Sequence, residues 1–79
     1  MSHFTRGQFV HLDYNGQSVR AMVLLASPNS RSLMLGFGGA LRTPSGGMVV
    51  GSLPLLQGED GVYRDLAENA VATLTQLPA

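Results

Sequence analysis

The dipeptide Asn15-Gly16, inside the run Asp13-Tyr14-Asn15-Gly16-Gln17, constrains this chain more than any other feature. Both residues tolerate a positive φ, so between two apolar stretches they specify a tight type I′ turn and an antiparallel hairpin. The expected strands are residues 8–14 and 17–26, with Tyr14 opposite Gln17, Leu12 opposite Val19 and Val10 opposite Ala21. Side chains alternate between the two faces of a strand, and these pairs make the face expected to point into a core. The other face carries Asp13 with Ser18, His11 with Arg20 and Phe9 with Met22. It is polar near the turn and apolar further away, where Leu24 joins Phe9 and Met22.

The rest of the chain is punctuated in the same way. Ser27-Pro28-Asn29-Ser30 reads as a turn, because proline presets φ at its second position and asparagine suits the next. Ser32 to Phe37 then reads as a third strand, and Gly36, Gly38 and Gly39 predict a bulge or sharp bend at its end. Arg42 to Gly47 reads as an exposed loop. Met48 to Leu56 is the fourth expected strand, with Pro54 confining its end to an edge or a bulge. Gln57-Gly58-Glu59-Asp60-Gly61 is a polar turn.

Two readings compete for the last segment. Asp65-Leu66-Ala67-Glu68 resembles a helix N-cap with an acid three residues on, and Leu66, Ala70, Leu74 and Leu77 would share one helical face. Alternatively, residues 62–66 and 71–75 form a hairpin joined through Ala67-Glu68-Asn69-Ala70, which suits the β-branched alternation of Val71, Thr73 and Thr75. The hairpin is preferred. Roughly five or six short strands are too few for a sandwich of ordinary size. The expected fold is therefore all-β: one domain over residues 1–79 forming a small, highly curved barrel.

Residues 9–37 resemble the first half of an Sm-type barrel, one of the small SH3-like folds. The likeness rests on Asn15-Gly16, on an apolar strand with the small residue Ala21 five positions after the glycine, and on Leu33-Met34-Leu35. Val49-Val50-Gly51-Ser52 is loosely similar to the second signature of that family. Gly61-Val62-Tyr63-Arg64-Asp65-Leu66 followed by Val71 is similar to the closing hairpins of many bacterial β domains. The resemblance implies an SH3-like or Sm-like barrel of the kind that assembles into rings or pairs. Ser27 and Arg31 stand where the family has the aspartate and asparagine framing its RNA-binding loop, so RNA binding is expected to be absent or weak.

Composition points the same way. Of the 79 residues 44% are hydrophobic and only 13% charged, which leaves a thinly charged surface open to self-association. Lysine is absent and the formal charge is zero, against the dense basic face of a nucleic-acid binder. Cysteine is absent too, so no disulfide or thiolate metal site supports the fold, and a cytoplasmic setting is expected. No apolar core follows Arg6, so no signal peptide is expected and the chain reads as a complete small protein. The run Ala21 to Ala26 is too short to span a bilayer, and no membrane partner is expected.

No motif in the chain carries recognisable chemistry. His3 and His11 lack partners at metal-ligand spacing. No nucleophile elbow surrounds any serine, and only His11 is placed to act as a base from within the fold. Glu59 and Asp60 are adjacent in a turn and so do not face one another across a cleft, as paired acid–base carboxyls must. Gly36-Phe37-Gly38-Gly39-Ala40-Leu41 has leucine where a dinucleotide fingerprint needs its third glycine. No catalytic, cofactor or metal residues are therefore assigned. A candidate ligand groove is drawn from Arg31, Phe37, Arg42 and Tyr63, suited to stacking bases or peptide prolines. A candidate interface is drawn from Phe9, Met22 and Leu24, expected either in a subunit contact or under the C-terminal segment. The leading expectation is a non-enzymatic binding or assembly module, homo-oligomeric or engaging a protein or peptide. The rivals are an Sm-like RNA binder and a small hydrolase.

Overall fold

A computed structural model describes residues 3–78. It is all-β, with strands β1 (Phe9–Tyr14), β2 (Gln17–Ala26), β3 (Ser32–Arg42), β4 (Met48–Gln57), β5 (Tyr63–Asp65) and β6 (Val71–Gln76). Each strand pairs antiparallel with the next, and β6 returns to β1, so the sheet closes into a six-stranded barrel.

The first hairpin has the register that Asn15-Gly16 specifies: Tyr14↔Gln17, Leu12↔Val19 and Val10↔Ala21. Asn15 and Gly16 take φ of 51° and 75°, the left-handed pair that a type I′ turn requires. Val10, Leu12, Tyr14 and Ala21 are buried in the barrel, together with Val23, Leu33, Leu35, Leu53 and Leu55 from the following strands. Each such side chain contributes roughly 1.5–3 kcal/mol on burial. Phe4, ahead of β1, covers one end of this core and meets the Tyr63 ring edge-on at 6.0 Å.

The last segment is the hairpin and not the helix. Tyr63 pairs with Ala72 and Arg64 with Val71, while residues 66–69 form the turn. Asp65 holds that turn: it is 2% exposed, and its Oδ1 accepts hydrogen bonds from the Glu68 and Ala70 amides at 3.1 and 2.7 Å. The acid read as a helix cap therefore caps a loop. Tyr14 completes the site from across the barrel, its hydroxyl donating to Asp65 Oδ2 at 2.7 Å.

The third strand is longer than its glycines suggest. The register of β3 on β4 breaks between Gly36 and Ala40 and then resumes through Ala40↔Val50 to Arg42↔Met48. The glycines thus mark a bulge inside the strand, not its end, and Arg42 is the last residue of β3, not a loop residue. The loop itself is residues 43–47, closed by Thr43 N–H on Gly47 O at 2.9 Å. Beside the bulge, β2 and β3 lose their ladder. The Gln17 side-chain amide bridges the gap: Oε1 accepts Arg42 N–H at 2.9 Å and Nε2 donates to Arg42 C=O at 2.8 Å. A side chain here makes both bonds that a neighbouring peptide would make.

Candidate functional site

Phe9, Met22 and Leu24 lie together on the outside of the first hairpin. Phe9 pairs with Met22, and Leu24 is the extra residue by which β2 bulges against β3. Leu24 lies flat on Gly36; a Cβ there would stand 2.8 Å from Leu24 Cδ1 and push that side chain aside. Phe9 and Leu24 are each 40% exposed, and Met22 is half-buried. The C-terminal strand does not cover them, because β6 pairs edge to edge with β1 and leaves its outer face open. Of the two placements expected for these residues, the one under the C-terminal segment is thereby excluded.

The polar half of that face is already partnered. The Arg20 guanidinium stacks 4.2 Å above the Phe9 ring, a cation–π contact that keeps the arginine on the apolar patch. His11 Nε2 lies 3.3 Å from Asp13 Oδ1, and Ser18 donates to the same oxygen. The Ser18 hydrogen bond is the main reason that the Asp13 carboxyl is held below its usual range, with the nearby His11 assisting.

The proposed groove of Arg31, Phe37, Arg42 and Tyr63 does not assemble. Arg31 precedes β3 and Arg42 ends it, so the two arginines sit at opposite ends of an 11-residue strand. Tyr63 points inward, 6% exposed, and its hydroxyl donates to Ser30 C=O. Phe37 packs against the core from the bulge. A tyrosine ring in a small barrel contributes more as core than as a surface for stacking. Arg31 donates to Gln57 C=O at 3.2 Å, and Arg64 pairs with Asp60 at 3.1 Å. That ion pair is the main reason the Asp60 carboxyl sits below its usual range.

One serine–histidine approach was not legible in the sequence. Ser30 Oγ lies 3.3 Å from His3 Nδ1, but Ser30 is fully buried. Its hydroxyl donates to Phe4 C=O at 2.9 Å and accepts Phe4 N–H at 3.0 Å. A hydroxyl committed twice to one peptide is an anchor for the N-terminal segment, not a poised nucleophile. Among the described residues no three His, Asp or Glu side chains come together as metal ligands. No helix there is long and apolar enough to cross a membrane.

Two further surface features remain. At the end of the barrel near the Asn15-Gly16 turn, Glu68 grips the 43–47 loop, taking Ser45 N–H at 3.0 Å and Ser45 Oγ–H at 2.7 Å. Hydrogen bonds from Thr43, and then from Ser45, hold its carboxyl below the usual range. On the flank, Leu25, Met34, Pro54 and Leu66 border an open apolar hollow of about 330 Å³. It lacks the convergent polar groups that orient a small ligand in a pocket. Neither a scan of the chain against protein-family models nor searches of curated proteins and solved structures return a match.

Proposed function

We propose that this domain is a non-enzymatic docking module whose first partner is another copy of itself. The observation that carries the reading is the outer surface. Eight large apolar side chains among the described residues, Phe9, Leu24 and Val50 included, stand 40–72% exposed on an 8.3 kDa chain. Apolar clusters of this kind on a small domain mark contact surfaces. The polar groups that might have done chemistry are spent on structure: Ser30 on Phe4, Asp65 on Tyr14 and its own turn, Glu68 on Ser45. A cytoplasmic setting accords with this reading, since the barrel needs no disulfide.

Sedimentation of the wild-type chain across a range of concentrations tests it, with a mass above the monomer expected. A wild-type chain that stays monomeric throughout overturns the reading. So does tight retention of short single-stranded RNA that falls steeply with salt, the signature of phosphate neutralisation.

A further inference from the structure

We infer that the second copy docks on the open edge of β4, extending the sheet antiparallel about a two-fold axis at Val50. The inference rests on the self-association proposed above and gives it a place. In an antiparallel ladder, alternate residues turn their peptide groups to the same neighbour. Gln57 N–H on Arg31 C=O at 2.7 Å, and Thr43 N–H on Gly47 C=O at 2.9 Å, fix the phase on the β3 side. Leu55 and Leu53 therefore face β3, as does Val49 beyond the bulge. Leu56, Pro54, Ser52, Val50 and Met48 turn their peptide groups the other way.

On that side β5 meets Leu56 through Arg64, but its pairing ends at Leu55↔Asp65. Among the described residues no backbone group bonds residues 48–54 from there. Pro54 belongs to this outward series, so its missing N–H costs no ladder bond. What remains is the N–H and C=O of Met48, Val50 and Ser52. Gly51, at φ 79°, lies opposite the bulge, between Val50 paired with Ala40 and Ser52 paired with Gly36.

An open edge invites another strand unless charges or covering elements block it. Residues 43–58 carry no charged side chain of their own, and the Glu68 carboxylate near the edge is held on Ser45, ahead of the strand. Met48 and Val50 are 62% and 72% exposed beside the edge. An uncharged edge meets its own copy without like-charge repulsion, as an isologous two-fold contact requires. One register uses all three donors, with Val50 against the partner's Val50 and Met48 against the partner's Ser52. It forms about six hydrogen bonds, two from each facing pair.

The test is a charge exchange at Val50, whose exposure leaves the barrel's folding indifferent to the change. Val50→Lys alone and Val50→Glu alone place like charges opposite one another across the axis. Each is expected to weaken association by up to roughly fivefold. An equimolar mixture of the two is expected to restore the wild-type mass. Val50→Cys, the only thiol in a chain without cysteine, is expected to crosslink on oxidation, since facing Cα atoms lie about 5.5 Å apart. If the wild type associates but Val50→Lys associates equally well, the edge assignment falls while self-association stands. A mixture that stays monomeric, or an uncrosslinked Val50→Cys where the wild type is dimeric, overturns the two-fold at Val50. A monomeric wild type overturns both proposals.

Discussion

Removing one hydroxyl, in Tyr14→Phe, tests the account of the barrel's interior. Asp65 is 2% exposed, and three donors compensate its carboxylate: the Glu68 and Ala70 amides on Oδ1 and the Tyr14 hydroxyl, at 2.7 Å, on Oδ2. The variant leaves Oδ2 without its donor and keeps the ring. A hydrogen bond to a charged group contributes roughly 1.5–3 kcal/mol, so a loss of about 2 kcal/mol is expected. For a domain of this size that lowers Tm by roughly 10 °C. Tyr63→Phe is the control, because its hydroxyl donates to the neutral Ser30 carbonyl and should cost only about 1 kcal/mol. Urea unfolding followed by circular dichroism measures both, with an unchanged m-value showing that only the midpoint has moved. Equal losses in the two variants, or a loss below about 0.5 kcal/mol for Tyr14→Phe, would refute the charge-assisted bond. The same site shapes the alkaline limb of stability. Burial first, and Asp65 second, raise the Tyr14 hydroxyl above its ordinary 10.0. Its contribution is therefore full below about pH 10 and is lost as pH climbs toward the folded value. Tyr14→Phe should flatten that fall.

The two side-chain bridges at the same end of the barrel give further expected outcomes. Gln17→Ala removes both bonds to the Arg42 peptide and should cost about 1 kcal/mol in urea unfolding, given the exposure of the bridge. An unchanged midpoint would mean that water replaces the amide without loss. The Glu68 carboxyl sits below its usual range, so its grip on Ser45 is present above the unfolded value and fades as pH falls through the folded one. Protection of the Ser45 amide, taken relative to its intrinsic exchange rate at each pH, should fall on that acid limb, and Glu68→Gln should lower it at neutral pH. Protection that is flat with pH and unaltered in the variant would remove Glu68 from the account.

The parts that were legible in the sequence are those governed by local chemistry. Asn15-Gly16 defines its turn from two residues, and period-two alternation carries the register outward from there to Phe9↔Met22. Val71, Thr73 and Thr75 favour a strand for the same local reason. What escaped depends on partners distant in the chain. Tyr14 meets Asp65 across 51 residues and Tyr63 meets Ser30 across 33. Nothing near Tyr63 announces that its hydroxyl has a buried acceptor, and the sequence alone offers it to the groove. The glycines around Phe37 point to the end of a strand, because glycine is a poor strand former. Only the pairing of Val50, Val49 and Met48 with Ala40, Leu41 and Arg42 beyond the bulge shows that the strand resumes. The open edge of β4 was hidden for a related reason: whether a strand has a second neighbour depends on where β5 stops, and β5 is only three residues long.

The closure of β6 on β1 also bears on how the chain reaches this state. Val10 pairs with Gln76 and Tyr14 with Ala72, so the seam joins the earliest strand of the barrel to its latest. A nascent chain that lacks β6 holds the first hairpin with one flank open, and the uncharged β4 strand emerges before that flank is sealed. Contacts this remote in sequence form slowly, because the entropy of closing the ring comes before its reward. Until then the unpaired peptide groups on the outer flank of β1 are offered to any neighbouring chain. Synthesis rate and crowding of nascent chains, more than the stability of the finished barrel, would then set how much of it is recovered in soluble form.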